Sequence, residues 1–167
     1  SEDALTGLFN RRSFDEKILS EIAGCIARGA PISVLIVDVD YFKKYNDNYG
    51  HPEGDRCLAL LGDTLRKSLT RDNQIVARYG GEEFALILPD ADIQEARRIA
   101  QTIIRNVFSL QIEHAFSPFG RVTVSVGVST ARAVEIAGSQ QSIIIAADQA
   151  LYQAKRAGRN QYAFVGV

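Results

Sequence analysis

Hydrophobic and polar positions along this chain switch repeatedly between two periods. From Asn10 to Arg28, apolar side chains fall at Phe14, Ile18, Ile22 and Ile26, a spacing that marks one face of a helix. Either Asn10 or Ser13 is suited to cap it, Ser13 with Glu16 three residues on as a capping box. Gly29-Ala30-Pro31 breaks the pattern, and Ile32 to Asp40 is an almost unbroken apolar and β-branched run, as expected of a central strand covered on both faces. A helical turn is predicted over Tyr41 to Asn46. A long helix is predicted from Pro52 to about Leu69 through Leu58, Leu61, Leu65 and Leu69. Gln74–Tyr79 and Glu82–Leu88 read as two strands joined by a two-residue hairpin loop, Gly80-Gly81, which would need positive φ at both glycines.

Ala91–Leu110 is a further helix, with Ile93, Ala96, Ala100, Ile103, Ile104 and Val107 on its apolar face. Arg121–Ser129 alternates strictly, with Val122, Val124, Val126 and Val128 on one side, and predicts a half-buried strand. Ser142–Arg156 is an alanine-rich helix stopped by Gly158, and Tyr162–Val165 closes as a strand. The stretches 112–120 and 133–141 read as loops. Alternating helical and strand patterns without repeats point to an α/β or α+β class.

Composition narrows the function classes. The chain has 167 residues, 46% of them hydrophobic, enough for one domain with a single core. With 19 basic and 20 acidic residues and a formal charge of -1, it lacks the basic surplus of a nucleic-acid-binding surface, so phosphate recognition must be local. Cys25 and Cys57 lie on apolar-periodic stretches without a partner at metal-ligand spacing and read as buried reduced thiols, which suits a reducing cytosol. No apolar run approaches bilayer length, and Ser1–Thr6 lacks signal-peptide character, so the expectation is a soluble domain without membrane contact of its own.

Several polar positions carry candidate chemistry. Asp38 and Asp40 end the central strand with both side chains toward one face, where oxygen ligands could take a cation; equally, Asp40 could cap the turn that follows. Asp38 is the more informative, because a carboxylate after Val34-Leu35-Ile36-Val37 needs a cation or donors to offset its desolvation. Glu82 and Glu83, being adjacent in a strand, should face opposite ways, so that either both are solvated turn residues or one meets Asp38. Gly80-Gly81 removes both Cβ atoms where a triphosphate could lie against backbone amides. Lys43, Lys155, Arg159 and the amides around Phe42 could hold phosphate, although Lys155 and Arg159 also complement a helix C-terminus. Asn46 and Asp55 are turn or cap residues by default, yet an amide and a carboxylate also match the edge of guanine. His51 and His114 have no partner spacing and receive no ligand role.

Taken together, these residues fall into ordered blocks. They are Asp3–Arg12 (DALTGLFNRR), Asp38–Lys43 (DVDYFK) continuing to Asn46-Asp47, Gly50–Asp55 (GHPEGD), Arg78–Phe84 (RYGGEEF), Ser125–Val128 (SVGV), and Ala147–Tyr152 (ADQALY) with Lys155 and Gly158–Asn160. In these blocks the chain resembles the GGDEF domain of diguanylate cyclases from end to end, in the Gly-Gly-Glu-Glu-Phe form of the signature. The resemblance implies an α+β fold, an α/β sandwich in which a central five-stranded mixed sheet is surrounded by helices and carries a signature hairpin, similar to the palm of nucleotidyl cyclases and polymerases. It implies one GGDEF domain over residues 1–167, in a bacterial second-messenger pathway. Because the sequence begins at the family's first motif, we expect a cytoplasmic module excised from a longer protein, free or membrane-anchored, with a sensor or dimerisation region upstream.

By the same resemblance, Asp38 and Glu83 are metal ligands with the backbone carbonyl of Val39, and Asn46 and Asp55 read the guanine of GTP. Phe42, Lys43, Lys155 and Arg159 hold the triphosphate beneath Gly80 and Gly81. Glu82 either joins the metal site or assists deprotonation. The implied cofactor is Mg²⁺, two ions per site, with Mn²⁺ able to substitute. The implied reaction joins two GTP into cyclic di-GMP and two pyrophosphates across a homodimer. The rival reading is a degenerate module that binds GTP or cyclic di-GMP and regulates a partner, and a third is nucleotidyl transfer from ATP on the same fold. One departure is visible. Family members with product feedback carry Arg-x-x-Asp before the signature, whereas Arg71-Asp72-Asn73-Gln74 ends in glutamine, so Arg71 marks a degenerate inhibitory site.

Overall fold

The computed structural model describes all of residues 1–167. Its elements follow the order α1 (Arg11–Arg28), β1 (Pro31–Val39), α2 (Phe42–Tyr49), α3 (His51–Lys67), β2 (Ile75–Arg78), β3 (Glu83–Pro89), α4 (Ile93–Ser109), β4 (Val124–Arg132), α5 (Gln141–Arg156) and β5 (Tyr162–Phe164). The sheet order is β2-β3-β1-β4-β5, antiparallel except for the parallel β4–β5 pair. This is the mixed five-stranded sheet expected, with β1 in the middle.

The period-two pattern of β1 divides the core between two layers. Leu35, Val37 and Val39 join the α2, α3 and α4 side with Leu58, Leu61, Ile99 and Ile103, while Ile32, Val34 and Ile36 join the α1 and α5 side with Phe14, Ile18, Ala147 and Leu151. Asp38 therefore sits on the α1/α5 side, at the end of a strand buried on both faces. Asn10, and not Ser13, caps α1, its side chain accepting the Ser13 amide. The turn predicted over Tyr41 to Asn46 is a full two-turn helix, α2, and a short 3₁₀ turn (Ala133–Ile136) occupies part of the segment read as loop.

Two expectations are corrected. β4 is not half-buried: Val122, Val124, Val126 and Val128 do share one face, but Ser125, Gly127 and Ser129 opposite them are buried beneath α5. Small residues invite this approach, since a Cβ on Gly127 would stand 2.0 Å from the Ala147 carbonyl oxygen and 2.4 Å from the Leu151 amide. The signature hairpin is not a two-residue turn with positive φ. Its last ladder pair is Arg78↔Phe84, the Tyr79 and Gly80 amides both donate to the Glu83 carbonyl, and neither glycine has positive φ. The tip is a longer loop, closed by the Arg78 guanidinium, which donates to the Gly81 carbonyl at 2.8 and 3.2 Å.

Candidate active site

Strand pairing builds the acidic centre. The β1–β3 register sets Asp38 directly opposite Glu83, so residues far apart in sequence become cross-strand neighbours. Asp38 is almost wholly buried, and the Lys155 ammonium from the end of α5 donates to its Oδ2 at 3.0 Å. Glu83 is half-buried. Loss of water, and after it the charge of Asp38, push its carboxyl up to about 7, with Lys155 pulling the other way. Glu82 precedes β3, so strand alternation does not send it away from Asp38; its carboxyl is also raised, first by desolvation and then by the Asp38 charge. The Glu82 carbonyl accepts the Val39 amide at 3.3 Å, stitching the loop to the end of β1.

These carboxylates do not form a closed metal cage: no three His, Cys, Asp or Glu side chains are arranged to hold an ion. They do fit Mg²⁺, which binds through one or two carboxylates and takes its remaining ligands from water and phosphate. Asp38 and Glu83 could supply the carboxylates, and their mutual repulsion is what a divalent cation would relieve. An open groove of about 320 Å³ lies beside them, lined by Arg11, Tyr79, Gly80, Gly81, Glu82 and Glu83. A larger hollow of about 790 Å³ along the outer face of α5 is an open trough lined by Asp148, Gln149, Tyr152, Gln153, Arg156 and Ala157; of the two, the smaller groove is the one lined by Glu82 and Glu83.

Beyond the end of β1 lies a site suited to an anion. Tyr41 takes a left-handed conformation (φ 55°) and α2 starts without a side-chain cap, leaving its first amides free to bind an anion. The Arg159 guanidinium lies over the Tyr41 ring, 4.8 Å from its centroid. Lys43 is exposed and loosely paired with Asp47 at 3.1 Å, a contact of little energy that leaves it free to swing to phosphate. The Phe42 side chain cannot take part: it is buried in the core and stacks on Tyr45, so its contribution is limited to its amide. Lys155 is held by Asp38, nearer the acidic centre than a purely phosphate-binding role implies.

Asn46 lies on α2 against the first turn of α3. Its Oδ1 is buried without a donor, and a Cβ on Gly54 would stand 1.8 Å from that atom, so any larger residue there would displace the Asn46 side chain from this position. Asp55, the next residue, is exposed. The amide packs against the residue that precedes the carboxylate, and its Oδ1 has unmet hydrogen-bonding capacity.

Asp40 is neither a helix cap nor part of the acidic centre. Its carboxylate accepts from the Thr123 and Ser125 hydroxyls at 2.7 and 2.6 Å and from the Asn160 amide at 3.1 Å, while desolvation still leaves its pKa raised. Sequence reasoning also missed the support beneath the site. His114, fully buried, donates from Nε2 to the Tyr41 carbonyl at 3.0 Å and meets Tyr45 and Tyr49 edge-on. Asp3 accepts from the Thr6 amide and hydroxyl and from Arg78, tying the first sequence block to the hairpin. Nothing in the spacing of His114 signals its role. Gln74 turns inward, its Oε1 accepting the Thr70 and Arg71 amides at 2.7 and 3.1 Å, while Arg71 pairs with Glu95 at 2.6 Å beside Arg98.

Comparison with known proteins places this geometry among relatives. A family model described as "Diguanylate cyclase, GGDEF domain" matches residues 1–161. The chain is 40% identical over 162 residues to diguanylate cyclase VdcA of Vibrio cholerae, covering 95% of this chain and 45% of that protein. It thus spans less than half the length of that relative, and 34% of the probable diguanylate cyclase DgcT of Escherichia coli, to which it is 38% identical. Among solved structures, the GGDEF domain of DgcB from Caulobacter crescentus in complex with c-di-GMP superposes with a TM-score of 0.86 at 32% identity, covering 99% of this chain and 94% of that one.

Proposed function

The chain belongs to the GGDEF diguanylate cyclase family, and from that premise we propose that it condenses two GTP molecules into cyclic di-GMP with release of two pyrophosphates. The observation that carries this reading is the pairing of Asp38 with Glu83 at the end of β1, beside the uncapped start of α2. Asn46 and Asp55 would take the guanine edge, with the buried, unpartnered Oδ1 of Asn46 favouring a ligand at this place. The α2 amides, Lys43 and Arg159 would hold the triphosphate.

Asp38, Glu83 and the Val39 carbonyl would hold Mg²⁺, two ions per site with Mn²⁺ able to substitute; bound there, the metal supplies Lewis-acid charge for a phosphoryl transfer. In each transfer the 3′-oxygen of one GTP forms a bond to the α-phosphorus of the other. The bond from that phosphorus to the bridging oxygen breaks, pyrophosphate departs, and the hydroxyl proton passes to water or to Glu82. The raised pKa of Glu82 suits it to receive that proton. Most of the acceleration would come from positioning. One chain offers one set of these groups, so the productive species is a two-fold pair of chains with their nucleotides face to face. A sensor or dimerisation region in the parent protein would then govern the rate by controlling encounter. We place the domain in the cytoplasm, where its substrate is made; no helix is long and apolar enough to cross a membrane.

The test is incubation of concentrated protein with GTP and Mg²⁺, with Asp38→Ala and Glu83→Ala as controls. Cyclic di-GMP formed by the wild type and by neither variant supports the reading. GTP binding without product at any protein concentration favours a regulatory binding module instead, and a preference for ATP overturns the assignment of Asn46 and Asp55.

A further inference from the structure

The chain leaves α5 through three consecutive residues with positive φ: Gly158 at 123°, Arg159 at 65° and Asn160 at 52°. Glycine takes this region freely, but arginine and asparagine do so only when surrounding structure holds them there. The Arg159 end of this turn is closed onto the helix, its amide donating to the Ala154 carbonyl at 3.0 Å, and the Asn160 end is held by Asp40. It is 2% exposed, and its Oδ2 accepts the Asn160 amide and the Thr123 hydroxyl while its Oδ1 accepts the Ser125 hydroxyl. The Asp40 amide in turn donates to the Thr123 carbonyl at 2.9 Å. One buried carboxylate therefore fastens together the end of β1, the start of β4 and the turn that carries Arg159. From this turn the Arg159 guanidinium lies over the Tyr41 ring at the start of α2, 4.8 Å from its centroid.

We propose that Asp40 is a positioning residue for nucleotide binding, which acts through the left-handed Arg159–Asn160 turn to set the Arg159 guanidinium at the triphosphate end of the site. This rests on the nucleotide reading given above and assigns Asp40 no contact with substrate or metal. A group that only holds the fold together would weaken every ligand alike. A group acting through Arg159 affects only what Arg159 touches.

The experiment compares two ligands in Mg²⁺ by calorimetry, a GTP analogue with a methylene bridge between the α- and β-phosphorus, which cannot react, and GMP. We expect Asp40→Ala to weaken the analogue about tenfold or more and GMP by no more than about twofold. Arg159→Ala should do the same, and the double variant should bind the analogue no worse than Arg159→Ala to within about twofold, because residues acting in series are not additive. Asp40→Asn keeps an oxygen for the Thr123 hydroxyl and the Asn160 amide, and its Nδ2 can donate to the Ser125 hydroxyl. It should fold and hold the analogue to within about threefold of wild type.

Equal losses for both ligands in Asp40→Ala, losses that multiply in the double variant, or an Asp40→Asn protein that melts normally yet loses the analogue would each overturn the proposal. If Asp40→Ala does not fold, Asp40→Asn decides by the same threshold. Wild-type protein that binds neither ligand overturns the nucleotide reading itself, and this inference with it. Wild type that binds both while the Asp40 variants behave otherwise than stated overturns the inference alone.

Discussion

Replacing Glu83 with glutamine should make the metal-free domain more stable at pH 8 while removing its response to Mg²⁺. Burial and the neighbouring Asp38 charge hold the Glu83 carboxyl at about 7 against an ordinary value of 4.5. The folded chain thus keeps a proton that the unfolded chain has lost, and stability falls as pH rises between those two values. At about 1.36 kcal/mol per tenfold change in proton affinity, the displacement from 4.5 to about 7 caps the loss near 3 kcal/mol. Glu83 is half-exposed, and solvent screening reduces this to about 1–2 kcal/mol. Glutamine has nearly the same shape and never ionises, so below pH 4.5 the two proteins should be equally stable. At pH 8 Glu83→Gln should be the more stable by about 1–2 kcal/mol. Urea unfolding at pH 4, 6 and 8 in chelator measures this directly. Adding Mg²⁺ with the unreactive GTP analogue at pH 8 should stabilise the wild type and leave Glu83→Gln nearly unchanged. A variant less stable than wild type at pH 8 without metal, or one stabilised equally by Mg²⁺ and analogue, would refute the assignment of Glu83 to a strained acidic centre.

Further outcomes follow from close approaches and from the Arg71 turn. Gly54→Ala places a methyl where Asn46 Oδ1 now lies, and we expect KM for GTP to rise about tenfold or more while urea unfolding changes by about 1–3 kcal/mol. Gly127→Ala drives a methyl into the backbone of α5 and should cost about 3 kcal/mol or more, seen as a lower urea midpoint, without a specific effect on GTP binding in whatever fraction stays folded. Product feedback should be weak, because Gln74 stands uncharged where the second charge is expected and is spent on capping the Thr70–Arg71 turn. A submicromolar cyclic di-GMP isotherm lost on Arg71→Ala would contradict that. Asn10→Ala should lower stability by about 1 kcal/mol through loss of the α1 cap, measurable by thermal melting.

The parts of the fold legible in the sequence were those governed by local periodicity. The run Ile32–Asp40 gave the central strand, and the four-residue spacing of Phe14, Ile18 and Ile22 gave α1 to within a residue. The burial of β4 was not legible, because Ser125, Gly127 and Ser129 read as a polar face, whereas small side chains are what let α5 pack there. The register that sets Asp38 against Glu83 is a long-range pairing with no local signal; residue chemistry alone leaves open whether either glutamate meets Asp38, and the resemblance to a family singles out Glu83. Asp40 reads equally as cap or ligand from its neighbours in the chain, because its partners, Thr123, Ser125 and Asn160, lie more than eighty residues away. His114 carries no local signal either, its partner Tyr41 being 73 residues away.

The central claim is that two copies of this site, each organised around Asp38 and Glu83, together make one cyclic dinucleotide. The most direct measurement is the initial rate of cyclic di-GMP formation per chain, with Mg²⁺ and saturating GTP, as protein concentration is raised across the dimerisation range. The rate per chain should climb with concentration and then level off, two pyrophosphates should appear per product, and Asp38→Asn should abolish both. A rate per chain independent of concentration for a species that remains a single chain, or GTP bound tightly with no product at any concentration, would contradict it.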